Sequence, residues 1–141
     1  MSELVKIVEK KPVPSEATMI IGLPDVGLVG LIATSYLISE LDLEEIAYMD
    51  SDLLPPVVVL HEGLPHAPLR MYGNKNLIAV ISEMAVPAPA TYTVTRELVD
   101  WAQTKKVKRI LSSGGIPTEN RQTIKEPEFL PPRPTKNCLI H

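Results

Sequence analysis

The segment over residues 18–39 constrains the fold of this chain more than any other. It begins with an apolar run, Met19-Ile-Ile21, whose length is typical of a buried strand. Gly22-Leu-Pro-Asp25 follows, and this combination of residues predicts a turn. A helix is then predicted from about Gly27, with Asp25 as its N-cap residue. Apolar residues occupy most sides of that helix, so it is expected to be well buried.

The glycines of this segment allow two interpretations. A strand, a glycine-rich turn and a helix in succession are compatible with a phosphate site, because helix N-termini attract anions. However, the spacing of Gly22, Gly27 and Gly30 is not that of a dinucleotide-binding fingerprint, and no Lys-Ser/Thr pair completes a P-loop. We favour the interpretation that Gly27 and Gly30 lack a side chain so that the helix can lie close to a strand. An anion site at this turn, including Asp25, stays the alternative.

The rest of the chain is predicted to form short strands and a second long helix. Further strands are predicted at 3–9, 46–49, 57–60, 69–72, 77–81 and 109–112, with 57–60 fully apolar and 69–72 at a sheet edge. The second helix covers about 90–104, and its inner face is predicted to carry Tyr92, Leu98, Trp101 and Ala102. The succession of strand, helix and strand over 77–112 predicts a right-handed parallel crossover. The fold class is therefore α/β, with a mixed sheet flanked by helices.

Composition excludes several classes of function. The chain has 141 residues, of which 45% are hydrophobic and 22% charged, so it is expected to be globular and at most one ordinary domain. A net charge of −3 gives no electrostatic footprint for nucleic acid. The single cysteine, Cys138, suits a reducing compartment. No apolar run is long enough to cross a membrane. We expect a cytoplasmic protein without nucleic-acid or membrane partners.

Candidate polar sites are few. Ser113, Gly114 and Gly115 follow the last predicted strand, and their backbone amides could form an anion-binding nest, although a simple glycine turn is the favoured interpretation. Arg70 could clamp a phosphate or carboxylate, or it could be a surface charge. His61 and His66 have no third and fourth ligand near them in the sequence, so no metal site is predicted. No catalytic residue and no cofactor is predicted.

Four segments of the chain resemble a known family. They are Gly22-Leu-Pro-Asp-Val-Gly-Leu-Val-Gly30, Leu54-Pro-Pro-Val57, Pro68-Leu-Arg-Met-Tyr72 and Ser112-Ser-Gly-Gly-Ile-Pro-Thr118. Together they resemble the proteasome assembly chaperone family in its archaeal form, over roughly residues 3–127. The resemblance implies a three-layer fold akin to that of the purine nucleoside phosphorylases. It also implies a non-catalytic protein that self-associates and binds proteasome α-subunits without ATP.

The resemblance leaves a second class of function open. Members that dock into α-ring pockets do so with a C-terminal tail of a hydrophobic residue, Tyr and any residue. This chain ends Leu139-Ile-His141, so that docking mode is expected to be absent. The alternative is an enzyme or ligand-binding protein on the same fold. It would hold a phosphate- or nucleoside-like ligand against Gly27, Gly30, Arg70 and Gly114-Gly115.

The end of the chain has a different character. Residues 128–141 are rich in proline and resemble nothing in the family. The codons that encode them permit a shifted reading frame containing Ala-Thr-Asn, which resembles the family's continuation. We therefore expect residues 1–127 to be the N-terminal part of a chaperone-like domain that is incomplete at its C-terminus. Residues 128–141 are expected to be an out-of-frame tail.

Overall fold

A computed structural model of the chain describes residues 4–120 and 122–125. The elements in this part of the chain are β1 Val5–Glu9, β2 Thr18–Gly22, α1 Val29–Glu40, β3 Glu44–Ser51, β4 Val59–His61, β5 Leu64–His66, β6 Leu69–Gly73, β7 Leu77–Ser82, α2 Ala88–Thr104 and β8 Arg109–Ser112. A short 3-10 helix, Val26–Leu28, lies directly before α1.

Six of the strands form one mixed sheet in the order β1-β3-β6-β7-β2-β8. β7 and β8 both pair in parallel with β2, one on each side of it. The pairs β1–β3, β3–β6 and β6–β7 are antiparallel. Because α2 connects two parallel strands of one sheet, the crossover predicted over residues 77–112 is confirmed as a parallel connection. The α/β class with a mixed sheet is confirmed with it.

The two helices lie on opposite faces of the sheet. Successive strand residues face opposite sides, and in β2 the side chain of Met19 belongs to the core that α2 covers. Gly22 has the opposite parity, and a Cβ placed on it would come within 2.3 Å of Thr34 Oγ1 on α1. The chain thus has three layers, helix, sheet and helix. The core on the α2 side contains Val5, Met19, Met49, Met71, Ile78, Val80, Val94, Leu98 and Trp101.

The prediction that α1 is well buried is wrong. Only Gly30 and Thr34 of this helix are buried. Val29, Ile32 and Tyr36 are 47%, 62% and 63% exposed. The helix contacts β2 and β7 through one narrow side. An all-round apolar composition therefore does not imply all-round burial, because a helix on a sheet can bury only the stripe that faces the strands.

Two strand predictions also need correction. The apolar run 57–60 is not a strand of the main sheet, since β4 begins at Val59 and, among residues 4–120 and 122–125, pairs with β5 alone, in a two-stranded hairpin. In the described part of the chain the hairpin leaves its apolar residues uncovered, and Leu60 is 73% exposed. Residues 69–72 are not at an edge, because β6 lies between β3 and β7. Burial of both Leu69 and Met71 follows from that central position.

The inner face of α2 is partly as predicted. Leu98, Trp101 and Ala102 are buried, as expected, but Tyr92 is 73% exposed, so its assignment to the inner face is wrong. Ala90 and Val94 take that place. They lie eight and four residues before Leu98, on the same side of a helix, whereas Tyr92 falls on the opposite side.

Candidate functional site

The turn before α1 and the segment after β8 lie in direct contact. The backbone N–H of Gly115 donates a hydrogen bond to Asp25 Oδ2 at 2.9 Å. Gly30 lies against the chain after β8, because a Cβ on Gly30 would come within 2.2 Å of the carbonyl oxygen of Ser113. A Cβ on Gly114 would come within 2.5 Å of Asp25 Oδ2. The structure thus brings these candidate residues together at the carboxyl ends of β2 and β8.

The start of α1 differs from the prediction. Gly27 and Leu28 have φ angles of 75° and 56°, in the left-handed region, and α1 begins only at Val29. Asp25 makes no side-chain capping bond to a helical N–H. Asp25 occupies the N-cap position of the 3-10 helix, but the residue before α1 is Leu28, so the assignment of Asp25 as a side-chain N-cap of the long helix is wrong. Three residues, two of them left-handed, separate Asp25 from the first turn of α1, and its carboxylate accepts a bond from Gly115 instead.

This geometry leaves little room for an anion among the glycines. Each of Gly30, Gly114 and Gly115 has a protein oxygen within 2.6 Å of the place where its Cβ would be. The N–H of Gly115 already donates to the carboxylate of Asp25. An anionic ligand bound there would lie beside a negative charge, which is unfavourable at short range. The contacts favour close packing of chain segments, and a ligand role for these residues stays a prediction.

Arg70 lies apart from this cluster, on β6, where it pairs with Ile81 of β7. Its side chain is 2% exposed, which excludes the alternative that it is a surface charge. Nη2 donates to Glu83 Oε1 at 2.7 Å, and the Glu83 side chain is 36% exposed. The guanidinium carbon lies 5.6 Å from the centre of the Tyr72 ring. Arg70 is therefore a buried cation with one carboxylate partner, at the surface, among the residues that the structure describes.

Two nitrogens of Arg70 are buried without an acceptor. Nε and Nη1 have no hydrogen-bond partner among residues 4–120 and 122–125. A buried donor left unpaired costs on the order of 1–3 kcal/mol, so a native structure rarely leaves one unpaired. Burial raises the pKa of the neighbouring Tyr72 hydroxyl, an effect that Arg70 partly offsets and that Glu45 and Glu83 reinforce. Of the candidate residues, Arg70 has the free donor capacity to bind an oxyanion.

A second polar cluster attaches the β4–β5 hairpin to the sheet. Glu45 on β3 pairs with Lys10, and its Oε2 lies 3.0 Å from His66 Nδ1 on β5. Burial alone would raise the pKa of Glu45, but Lys10 and His66 outweigh it, so the net pKa lies below the usual value. No local sequence pattern indicates this cluster, since its members are far apart in the chain. Within the described part of the chain, no group of three or more His, Cys, Asp or Glu side chains is placed to hold a metal ion.

One open cavity of about 400 Å³ lies between the end of β3 and the loops around the hairpin. It is lined by the Leu54-Pro-Pro-Val57 segment, by residues 48–52 and by Ala67 and Pro68. None of the candidate site residues lines it. Where the structure describes the chain, no helix is long and apolar enough to cross a membrane.

Comparison with known proteins gives a consistent picture. The family model described as the PAC2 family matches residues 19–136. An uncharacterized protein of Methanocaldococcus jannaschii is 31% identical over 117 residues, which are 82% of this chain and 49% of that protein. Two crystal forms of Pyrococcus furiosus PbaA, an archaeal homolog of proteasome-assembly chaperone, match with TM-scores of 0.71 and 0.75 at 36% and 34% identity. They cover 77% and 84% of this chain and 47% and 50% of PbaA. Pyrococcus furiosus PbaB, an archaeal proteasome activator, matches with a TM-score of 0.68 at 26% identity, over 82% of this chain and 52% of PbaB.

The chain spans about half the length of these relatives. The family match continues to residue 136, into the segment 128–141 that the sequence analysis assigned to an out-of-frame tail. That segment lies outside the described residues, and the frameshift hypothesis stays a prediction that the nucleotide sequence would decide. The resemblance to the archaeal proteasome assembly chaperone homologues is confirmed. The family match over residues 19–136 establishes that this chain belongs to the PAC2 family.

Proposed function

We propose that this chain is a proteasome-assembly-chaperone-like protein that acts by binding rather than catalysis. In this proposal it self-associates and binds proteasome α-subunits without ATP, in the cytoplasm. The observation that carries the proposal is the match to PbaA, which combines a TM-score of 0.75 with 34% identity over 84% of the chain. At 34% identity, this chain and PbaA are similar in sequence as well as in fold.

The surface of the chain supports a binding role. Large apolar side chains are exposed on α1, on the hairpin and after β8, at positions that include Ile32, Leu60 and Ile116. Exposed apolar surface of this extent is typical of proteins that bind other proteins. The glycine-rich loops, by contrast, are packed against each other and against Asp25. These contacts favour a protein-binding surface over an active site at the strand ends.

The proposal is tested by mixing the purified chain with the α-subunits of an archaeal proteasome and separating the mixture by gel filtration. We expect the two to elute together, to the same extent with and without ATP. Proteasome β-subunits provide the matched control and are expected to elute separately. Separate elution of the chain and the α-subunits at tens of micromolar would contradict the proposal.

The second candidate function is the binding of a phosphate- or nucleoside-like ligand, and Arg70 is the observation that favours it. The guanidinium is buried and keeps donor nitrogens that no described residue satisfies. A charge-assisted bond from arginine to a phosphate oxygen would satisfy them. We expect millimolar phosphate or nucleoside monophosphate to raise the melting temperature, since a ligand stabilises by RT ln(1 + [L]/Kd).

The Arg70→Met variant supplies the control for that measurement. It should show no ligand-dependent rise, while Lys6→Met, on an exposed position of β1, should respond like the unmodified chain. No shift in the unmodified chain at millimolar ligand rules the second candidate out.

A further inference from the structure

We infer that a second copy of this chain packs against the exposed side of α1, with the two α1 helices antiparallel. This side, here called the α1 stripe, consists of Val29, Ile32, Ala33 and Tyr36, all of them exposed. The inference rests on the self-association in the proposed function and names the surface that carries it.

The α1 stripe is unusually apolar for a helix surface that faces water. The exposed fractions of Val29, Ile32 and Tyr36 are 47%, 62% and 63%. A helix on the surface of a protein normally places charged and polar residues opposite the buried stripe. Here the only charged residue in Val29–Glu40 is Glu40, at its last position. The stripe therefore has the composition of a contact surface.

The apolar surface continues beyond the helix. Val26 and Leu28, just before α1, are 55% and 44% exposed. The segment after β8 lies beside the first turn of α1, since a Cβ on Gly115 would come within 3.6 Å of Val29 Cγ2. Ile116 in that segment is 70% exposed. The stripe is thus the centre of a broader apolar patch.

Charge favours a second copy in the antiparallel orientation. A twofold interface places the same patch on both chains, and an uncharged stripe meets its own copy without repulsion between like charges. Glu40 lies at the C-terminal end of α1, where the helix dipole disfavours a carboxylate. The first turn of α1 has no acidic residue, and Leu28 before it provides no side-chain cap. Antiparallel pairing brings Glu40 of each copy to the uncapped, electropositive first turn of the other.

The small side chain of Ala33 supports the same antiparallel arrangement. Ala33 lies near the middle of the length of α1, at the edge of its exposed side, and a small residue there permits close approach of two helix axes. In α1, a helix of 12 residues, the twofold axis would pass beside Ala33. It would place Ile32 against Tyr36 of the second copy. A parallel arrangement would instead bring the two Glu40 carboxylates together.

The experiment is the mass of the full 141-residue chain in solution, measured by light scattering after gel filtration at tens of micromolar. We expect twice the 15.5 kDa mass of one chain. Ile32→Glu should give the mass of one chain with unchanged circular dichroism. Tyr92→Glu, a change at a 73% exposed aromatic residue on α2, is the matched control and should leave the double mass. A monomeric unmodified chain, or an Ile32→Glu chain of double mass, overturns the inference.

Cysteine crosslinking in a Cys138→Ser background tests the orientation. Ala33→Cys should form a disulfide between two copies on mild oxidation, because the residue lies at the twofold axis. Glu40→Cys should not, since Glu40 lies seven residues from the axis at Ala33, and antiparallel helices place the two copies of this position about 21 Å apart along the axis, at 1.5 Å per residue. Crosslinking of Glu40→Cys instead of Ala33→Cys would indicate parallel helices and overturn the inference. Aggregation without the Ala33→Cys crosslink would indicate that the α1 stripe binds something other than a second α1 helix. That result would also overturn the inference.

No α-subunit enters these assays, so their outcome is independent of the co-elution test. Failure of co-elution with an intact dimer would count against the proposed function alone. Co-elution by a monomeric chain would count against the α1 interface alone.

Discussion

The carboxylate of Asp25 accepts a hydrogen bond from the backbone N–H of Gly115, with 2.9 Å between Oδ2 and N. The bond joins two residues that are 90 positions apart in the chain. β8 pairs only with β2 in the described sheet, and the segment that follows β8 lies close to Val26 and Gly30. Asp25 fixes that segment beside the first turn of α1.

Replacement of Asp25 tests the contribution of this bond. Asp25→Ala should lower the free energy of unfolding by about 1 kcal/mol, because it removes a hydrogen bond at an exposed site without burying an unpaired group. Asp25→Asn retains an acceptor oxygen and should cost less. Urea denaturation followed by circular dichroism measures both. Equal stability of all three chains would show that the bond contributes nothing.

Gly30→Ala should be more harmful than any change on the outer side of α1. The added Cβ would lie within 2.2 Å of the Ser113 carbonyl oxygen, and a backbone atom cannot move aside cheaply. We expect a loss of about 1–3 kcal/mol, the usual range for overpacking. Ser35→Ala, on the exposed side of the same helix, is the control and should be neutral or slightly stabilising. Equal melting temperatures for Gly30→Ala and Ser35→Ala would contradict the close contact.

The sequence alone predicted the elements whose signal is local. The apolar runs at β2 and β7, the glycine-rich turn between β2 and α1, and the side of α2 that carries Leu98 and Trp101 all depend on residues close together in the chain. The approach of Gly30 to the loop at 113–115 was also within reach. Parallel strands end at the same edge of a sheet, so the turns after β2 and β8 are expected to be neighbours.

The sequence does not indicate which faces of the helices and strands pack against each other and which stay exposed. The apolar composition of α1 gave no side a preference, so the exposure of Ile32 and Tyr36 could not be foreseen. The run at 57–60 contains the residues of a strand, but only the fold decides whether a second layer covers it. The bond from Trp101 Nε1 to Glu9 spans 92 positions and has no local signature. The burial of Arg70 likewise depends on its strand being central.

Arg70 and Glu83 should respond unequally to the loss of their partner. Glu83→Ala leaves a guanidinium that is 2% exposed without its carboxylate, and we expect a loss of about 2 kcal/mol or more. Arg70→Met leaves Glu83, whose side chain is 36% exposed and can be hydrated, and it removes the unpaired donors at the same time. Arg70→Met should therefore cost less than Glu83→Ala. Thermal unfolding of the two variants decides this, and the reverse order would contradict the burial of an incompletely paired arginine.

Acid should destabilise the chain in part through Glu9. Lys105 Nζ lies 2.7 Å from Glu9 Oε1, and Trp101 Nε1 donates to the same oxygen at 2.9 Å. The bond from Lys105 lowers the pKa of Glu9 below its usual value of 4.5; burial opposes this shift, and Trp101 reinforces it. In the window below that usual value the unfolded chain binds more protons than the folded chain, so stability falls as the pH falls. The contribution is complete above about pH 4.5 and is lost as the pH drops through the lowered pKa of the folded state.

Glu9→Gln isolates this contribution, because the amide keeps an oxygen for Trp101 but does not titrate. At pH 7 the variant should melt at a lower temperature than the unmodified chain. The difference should shrink steadily below pH 4.5, since protonation removes from the unmodified chain what the variant already lacks. The remaining acid sensitivity of the variant should include Glu45, whose pKa is also lowered by Lys10 and His66 against the opposing effect of burial. A difference in melting temperature that stays constant from pH 7 to pH 3 would show that Glu9 stabilises the fold by packing and not by its charge.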